Sequence, residues 1–286
     1  MVGSNLSKEL TKTNHTVLAT GRGENRLPPS YLHDNFQYRS LDITEKEQVM
    51  DIVIGFKPDL IIHGAAMTQV DECEEKKMLS YKTNVEATDH LILAAEEINA
   101  RYCYLSTDFV FSGDNGPYVE DDETGPVNYY GMTKELAEQH IMQSNLSWTI
   151  IRTILLYGKA DHLNRSNFIY WVKENLEANK PIRVVADQIR TPTYIPDLTK
   201  AIIDMAEKGS QGLYHISGKE VMSPYEMSLV IAQKLGLNTS LIQPVDAQTF
   251  TQKGRRPLKT GFIIEKAMKD TAFHPTPFTE ALDQIF

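Results

Sequence analysis

The sequence predicts an α/β fold in which helices cover both faces of a parallel sheet. Short apolar runs of strand length alternate with longer segments of helical periodicity. Strands that alternate with helices in this way favour parallel pairing through right-handed crossovers. With 286 residues, the chain is long enough to bury a large core. Because ligands of such sheets bind beyond the carboxyl ends of the strands, residues that follow strands are the first candidates for a site.

The elements of the first half follow one another at regular intervals. The predicted strands are residues 16–20, 59–63, 101–107 and 148–153, and the predicted helices are residues 1–10, 44–56, 78–98 and a segment that begins near Asn128. Thr44 and Glu47 are three residues apart, which predicts a capping box at the start of the second helix. A sheet built from βαβ units would have a strand before the first helix, so we expect an initial strand and loop to be missing from the sequence.

The second half is less regular. It contains a predicted helix at residues 168–179, strands at residues 182–186 and 213–217, and a helix from Ser223 to Leu235 with Gly236 as its C-cap. The proline-rich end reads as loops with short helices. We therefore divide the chain into residues 1–158 and a smaller region, residues 159–286, some segments of which return to the sheet.

The composition is that of an ordinary globular protein, with 41% hydrophobic and 23% charged residues. A formal net charge of -9 argues against nucleic acid or an anionic membrane as the main partner. No apolar run has the length of a membrane helix, and no secretory signal opens the chain. Cys73 and Cys103 form neither a metal-ligand spacing nor a disulfide framework. We expect a cytoplasmic protein without a metal site.

A tyrosine and a lysine stand four residues apart in the helix that begins near Asn128. If the segment is helical, Tyr130 and Lys134 lie on one face. An ammonium beside a phenol favours the phenolate and lowers the tyrosine pKa, which suits proton transfer. The same spacing also occurs on many ordinary surface helices, so it indicates catalysis only in combination with other motifs.

Three other segments follow predicted strands. They are residues 63–66 (His-Gly-Ala-Ala), residues 106–113, which begin with Ser-Thr-Asp, and residues 152–158. Small residues after a strand let a flat cofactor approach the backbone, although they also serve helix packing. A hydroxyl and a carboxylate at a strand end suit a polar site, although the same residues cap ordinary turns.

Taken together, these motifs resemble the extended short-chain dehydrogenase/reductase family, and more closely its dTDP-4-dehydrorhamnose reductase subfamily. The matching segments are residues 68–71 (Thr-x-Val-Asp), 106–111 (Ser-Thr-Asp-aromatic-Val-Phe), 130–134 (Tyr-x-x-x-Lys), 187–193 and 256–257 (Arg-Pro). The chain departs from the family at four points, one of which is the late segment at residues 256–262, where the subfamily tends to have Ser and then Leu after Arg-Pro. Gly3 alone represents the glycine-rich phosphate loop, Arg190 replaces a usual glycine, and Leu155 stands where many members carry tryptophan.

The resemblance implies a Rossmann-like dinucleotide-binding domain at residues 1–158 and a mainly substrate-binding region at residues 159–286. It implies reduction of a nucleotide-linked 4-keto-6-deoxysugar, as in dTDP-L-rhamnose biosynthesis. Tyr130 would donate the proton, Lys134 would hold the nicotinamide ribose, and Thr107 would donate a hydrogen bond to the developing alkoxide. The implied cofactor-binding residues are Gly3, Arg22, Asp42, Ile43, Ala65, Ala66, Thr68, Tyr130 and Lys134. The implied substrate-binding residues are Val70, Asp71, Thr107, Asp108, Phe109 and Arg190.

The cofactor is expected to be NADPH, with NADH also open. An acidic residue after the second strand of such a fold binds the ribose of NAD, whereas an arginine accommodates the 2′-phosphate of NADP. Arg22 occupies that place, with Arg26 nearby as a helper. Both arginines could equally be solvated loop charges. Asp42 could likewise be an ordinary strand-end cap rather than a contact to adenine.

Two other functions stay open at this point. An epimerase or dehydratase of the same superfamily would use tightly held NAD without net consumption. A non-catalytic NADP-binding regulatory protein would keep the fold alone, as the regulatory subunit of methionine adenosyltransferase illustrates. Whether the protein forms a homodimer is also open.

Overall fold

The computed structural model describes residues 1–159 and 168–286. Its strands are β1 Val17–Gly21, β2 Phe36–Ser40, β3 Leu60–His63, β4 Arg101–Thr107, β5 Trp148–Thr153, β6 Leu156–Tyr157, β7 Ile182–Val185, β8 Thr193–Tyr194, β9 Gly212–Ile216 and β10 Ile242–Val245. Its α-helices are α1 Val2–Leu10, α2 Lys46–Phe56, α3 Val70–Glu75, α4 Lys77–Tyr81, α5 Ala87–Ile98, α6 Tyr129–Gln143, α7 Phe168–Glu177, α8 Ile195–Lys208, α9 Pro224–Lys234, α10 Glu265–Thr271 and α11 Phe278–Ile285. Residues 160–167, which belong to the predicted second region, lie outside the described residues.

Parallel strands form the centre of the molecule. Within the described residues, four strands pair in the order β3-β4-β5-β9, and every pairing is parallel. β1 and β2 form a separate parallel pair, as do β6 with β8 and β7 with β10. β9 comes from the second half of the chain and joins the sheet beside β5. The predicted parallel α/β fold is confirmed.

Helices cover both faces of the four-stranded sheet. Successive side chains of a strand point to opposite faces. On β4, Tyr102 and Tyr104 pack with residues of α2, α5 and α6, whereas Cys103 packs with residues of α1, α8 and α10. A separate cluster joins α7, α9 and α11 to β7 and β10. The sheet is therefore wound on both sides, and the second half of the chain has a core of its own.

Two details of the predicted elements are wrong. The capping box of Thr44 and Glu47 does not form, because α2 begins at Lys46 and the Thr44 hydroxyl donates to Asp42 Oδ1 at 2.8 Å. The predicted helix at residues 78–98 is not regular, since a π-helical turn, Lys82–Glu86, separates α4 from α5. Farther along, Ser223 and Glu226 do form a capping box at the start of α9.

The described residues contain no helix that is both long and apolar enough to cross a membrane.

Candidate active site

The start of α6 is held in place by contacts on several sides. Asn128 caps the helix, since its Oδ1 accepts from the Gly131 amide at 2.8 Å. Its Nδ2 donates to the Arg255 carbonyl oxygen, also at 2.8 Å. A Cβ at position 131 would overlap the Phe109 carbonyl oxygen, so only glycine lets the helix approach so closely. This approach brings the first turn of α6 against the segment that follows β4.

Tyr130 and Lys134 are both buried on the inner face of α6. Lys134 Nζ donates to the Leu105 carbonyl oxygen at 2.7 Å and lies 3.9 Å from the centroid of the Tyr104 ring. The Tyr130 ring packs edge-on against Phe109, with centroids 5.8 Å apart. Both predicted catalytic side chains of the helix therefore face the carboxyl end of β4.

Thr107, the last residue of β4, lies at the same place. The hydroxyl of Thr107 interacts with the Tyr130 phenol, and this interaction opposes the effect of burial on the pKa of the phenol. Thr107 Oγ1 also donates to Asp108 Oδ1 at 3.1 Å and accepts from the Phe109 amide at 3.2 Å. The structure thus brings a phenol, an ammonium and a hydroxyl together beside one strand end.

Burial dominates the ionisation of this group. It raises the pKa of Tyr130 well above its ordinary value, with Thr107 opposing the shift and Asp108 adding to it. Burial also lowers the pKa of Lys134 to about 7, and the carboxylate of Glu138 opposes that shift. The expected lowering of the Tyr130 pKa by Lys134 is therefore wrong for this structure. The reason is that desolvation of the phenolate outweighs favourable charges, while the Lys134 ammonium is directed at a backbone carbonyl.

The predicted substrate residues Asp108 and Arg190 meet in the core. Arg190 Nε lies 3.6 Å from Asp108 Oδ2, and Thr260 donates to the same carboxylate. The guanidinium also donates to the carbonyl oxygens of Pro257 and Leu258, at 2.6 and 3.0 Å. Arg190 thus braces the loop at residues 257–258 against the strand end that carries Thr107. Its contact with a substrate diphosphate stays a prediction.

Asp71 contacts the segment just before residues 257–258. We call residues 253–258 the late loop. Asp71 accepts hydrogen bonds from the amides of Lys253 and Gly254, at 2.9 and 3.0 Å, and forms a two-pronged ion pair with Arg256. The Arg256 guanidinium beside it, together with the Gly254 amide, holds the pKa of this carboxyl well below its usual range. Val70 is buried beside Gly254. Both residues lie at the rim of the site, and their contact with substrate stays a prediction.

Apart from Gly3 on α1 and the pair Tyr130 and Lys134 on α6, the predicted cofactor residues follow the ends of β1, β2 and β3. Ala65 and Thr68 are exposed and Ala66 is half-buried, in the segment between β3 and α3. Hydrogen bonds from Thr44 lower the pKa of Asp42, and exposed Arg22 contributes a smaller electrostatic effect. Asp42 thus accepts hydrogen bonds within a turn and lies near Arg22, and its contact with adenine stays a prediction.

These residues fit a nicotinamide dinucleotide. Exposed Arg22 leaves a cation available at the end of β1. A Cβ at Gly3, in the first turn of α1, would meet no atom of the described residues within 4 Å. The carbonyl oxygen of Ile43 faces His90 Nδ1 at 3.2 Å, which fixes the backbone after β2. The assignment of Gly3, Ile43 and the alanines to the cofactor stays a prediction.

Asn84 is a buried site residue that the sequence reasoning missed. It lies in the π-helical turn, and its side chain accepts from the Met67 amide at 2.8 Å and donates to the Met67 carbonyl oxygen at 3.0 Å. It also donates to Thr133 Oγ1 on α6, at 3.0 Å. Asn84 therefore ties the loop after β3 to the helix that carries Tyr130 and Lys134. The sequence does not single out Asn84, because most residues from 80 to 90 are polar and the π-helical turn is seen only in the structure.

Comparisons with known proteins support the resemblance. The chain is 30% identical to dTDP-4-dehydrorhamnose reductase of Aggregatibacter actinomycetemcomitans, over 94% of this chain and 97% of that protein. It is also 30% identical to methionine adenosyltransferase 2 subunit beta of Mus musculus, over 96% of this chain and 89% of that protein.

A solved structure has the same fold. It is dTDP-4-dehydrorhamnose reductase from Bacillus anthracis in complex with NADP, with a TM-score of 0.83 and 29% sequence identity, over 100% of this chain and 96% of that chain. The family described as RmlD substrate binding domain matches residues 1–286. The predicted subfamily is thereby confirmed, and the protein belongs to the RmlD substrate binding domain family.

Proposed function

We propose that the protein is an NAD(P)H-dependent reductase of a nucleotide-linked 4-keto-6-deoxysugar, and specifically a dTDP-4-dehydrorhamnose reductase that acts in dTDP-L-rhamnose formation. The observation that carries the proposal is the convergence of Tyr130, Lys134 and Thr107 at the carboxyl end of β4. The Aggregatibacter and Bacillus anthracis relatives carry the name of the same enzyme.

The three side chains can reduce a keto group together. A nicotinamide cofactor, when bound, would supply the hydride that forms the new C–H bond. Tyr130, whose raised pKa keeps its proton at neutral pH, gives that proton to the oxygen, and the O–H bond forms there. Thr107 would donate a hydrogen bond to the oxygen on which the negative charge develops, once its hydroxyl proton turns from Asp108 Oδ1 to that oxygen.

Lys134 contributes charge and position. Its ammonium lies one helical turn beyond Tyr130 and next to β4, where it would hold the nicotinamide ribose. Arg22 would pair with the 2′-phosphate of NADPH, because a guanidinium matches phosphate oxygens in a two-pronged geometry. NADPH is therefore the proposed cofactor, with NADH as the alternative.

The rest of the site suits the substrate. Phe109 and Val70 pack beside Tyr130, and Arg190 holds the loop at residues 257–258. With them we propose Asp71 and Asp108 as substrate-binding residues. We propose residues 1–158 as the mainly dinucleotide-binding part and residues 159–286 as the mainly substrate-binding part.

We also propose that the protein forms a homodimer and that it works in a reducing cytoplasm. Mass photometry of the purified protein tests the dimer.

The experiment is a panel of dTDP-4-keto sugars with NADPH and NADH, followed as loss of absorbance at the nicotinamide band. A reductase consumes the reduced cofactor in proportion to the sugar converted. An epimerase or dehydratase converts the sugar with no net consumption, so product formation without absorbance loss contradicts the proposal.

The similarity to methionine adenosyltransferase 2 subunit beta favours a second candidate, a non-catalytic NADP-binding protein. The second candidate differs from the first in that it binds NADPH but converts no sugar. Saturable binding of NADPH by calorimetry, with no turnover of any sugar in the panel, would favour this candidate and contradict the reductase.

A further inference from the structure

Helix α6 carries a third ionisable side chain on the face that bears Tyr130 and Lys134. Residues four apart along a helix lie above one another, so Glu138 follows Lys134 by about one turn. The relative exposures of Tyr130, Lys134 and Glu138 are 7%, 2% and 1%. A phenol, an ammonium and a carboxylate therefore form one buried row along the helix.

The carboxylate at the end of this row is paired with Arg152 of β5. Arg152 Nε lies 3.0 and 3.2 Å from the two carboxylate oxygens of Glu138, and Nη2 lies 2.7 Å from Oε2. Arg152 is only 3% exposed. Its guanidinium carbon lies 4.9 Å from the centroid of the Phe111 ring. The sheet thus holds the Glu138 carboxylate at a fixed place in the core.

Stability alone does not explain such a pair. Two buried charges lose their hydration, and their attraction often does no more than offset that loss. Arg152 Nη1 also makes no hydrogen bond to any described residue. In other proteins, an apolar pair of similar volume often fills such a space at no greater cost. What an apolar pair could not supply is a negative charge one turn from Lys134.

The groups that face Lys134 come from three elements. Tyr130 and Glu138 lie on its own helix, Tyr104 on β4 lies against its ammonium, and His63 lies at the end of β3. Burial, with a smaller contribution from Lys134, lowers the pKa of His63 to about 3, so this imidazole is neutral. Tyr104 is also neutral, because burial raises its pKa. Among these described groups, Glu138 carries the negative charge.

We propose that Glu138, held by Arg152, is a positioning residue that supplies the carboxylate against which the Lys134 ammonium is kept charged beside Tyr130. Glu138 touches neither substrate nor cofactor in this assignment and acts through Lys134. The effect on turnover rests on the proposed reductase function, whereas the charge state of Lys134 does not.

The test measures Lys134 directly and through activity. The side-chain nitrogen of Lys134 is titrated by NMR in protein labelled with ¹⁵N-lysine, and kcat/KM for NADPH is measured against pH. Glu138→Gln should lower the Lys134 midpoint and the basic limb of the activity profile by about one pH unit. Arg152→Gln should move both in the opposite direction, because the carboxylate then has Lys134 as its remaining cation.

Glu226→Gln is the matched control. It removes a carboxylate from the capping box of α9, so it tests loss of stability without a change beside Lys134. In Glu226→Gln, the midpoint of the Lys134 titration should equal that of the wild-type protein. An unchanged midpoint in Glu138→Gln, or equal shifts in Glu138→Gln and Glu226→Gln, would overturn the proposal. If Glu138→Gln does not fold, the sign of the Arg152→Gln shift decides. If the Lys134 midpoint shifts as expected in both variants but the wild-type protein has no reductase activity, the proposed function is contradicted and the role of Glu138 is not.

Discussion

Asp71 and Arg256, which are 185 positions apart in the chain, form a two-pronged ion pair, with Nη2 2.9 Å from Oδ2. The pair joins α3, at the rim of the site, to the loop that Arg190 braces from the other side. The late loop, residues 253–258, is therefore anchored at two places, by Asp71 and by Arg190.

Replacing Asp71 with Asn should loosen this loop. We expect faster hydrogen exchange at residues 253–256 and a KM for the sugar substrate raised by up to about fivefold, since a partly exposed ion pair contributes roughly 1 kcal/mol or less. Hydrogen exchange with mass spectrometry and initial-rate kinetics measure the two effects. Glu75→Gln is the control, because it removes only the exposed pair with Lys253. Unchanged exchange in Asp71→Asn would contradict the anchoring role.

Tyr130→Phe should abolish most turnover while NADPH still binds. Removal of a general acid typically costs about 10²- to 10⁴-fold in rate, and the phenyl ring keeps the packing against Phe109. Stopped-flow absorbance measures turnover, and calorimetry measures NADPH binding. Tyr129→Phe, at the half-buried neighbouring position, should retain activity. Wild-type turnover in Tyr130→Phe would refute the assignment of the proton donor.

The activity of the wild-type protein should fall as the pH rises through about 7. Lysine is charged below its pKa, and burial lowers the pKa of Lys134 from its ordinary value to about 7. The charged form is therefore lost on the basic side. The raised pKa of Tyr130 keeps that group protonated over the same range. The measurement is kcat/KM for NADPH, which reports groups of the free enzyme. A flat profile between about pH 6 and 9 would show that Lys134 does not control activity.

Arg22→Ala should weaken NADPH selectively. A charge-assisted contact with the 2′-phosphate contributes about 1.5–3 kcal/mol, so we expect KM for NADPH to rise by about 10- to 100-fold with little change for NADH. Steady-state kinetics with both cofactors measure the ratio. Arg183→Ala, an exposed change on β7, should leave it unaltered. Equal losses with NADPH and NADH in Arg22→Ala would show that Arg22 does not discriminate.

Gly131→Ala should destabilise the fold. The added Cβ would overlap the Phe109 carbonyl oxygen, and such overpacking typically costs about 1–3 kcal/mol. Thermal unfolding by circular dichroism measures the loss. Gly55→Ala, in α2, meets no atom within 4 Å and should leave the protein at least as stable. A Tm for Gly131→Ala at or above that of Gly55→Ala would contradict the close approach of α6.

Much of the fold follows from local patterns. The strands at residues 60–63, 101–107 and 148–153 lie where apolar runs predict them, because a buried strand has no polar face to interrupt the run. The Tyr130 and Lys134 spacing was also informative, since one helical turn fixes which side chains share a face. The spacing of Thr44 and Glu47 was misleading, because the Thr44 hydroxyl donates to Asp42 and does not cap the helix.

The sequence by itself determined the order of strands and helices and the row of Tyr130, Lys134 and Glu138 along α6, since both depend on residues close in the chain. Only the tertiary structure decided which charges meet. Asp71 with Arg256, Asp108 with Arg190, Asn84 with Met67 and Glu138 with Arg152 join residues from different elements. It also decided that burial sets the ionisation of Tyr130 and Lys134, because desolvation depends on everything packed around a group and not on its neighbours in sequence.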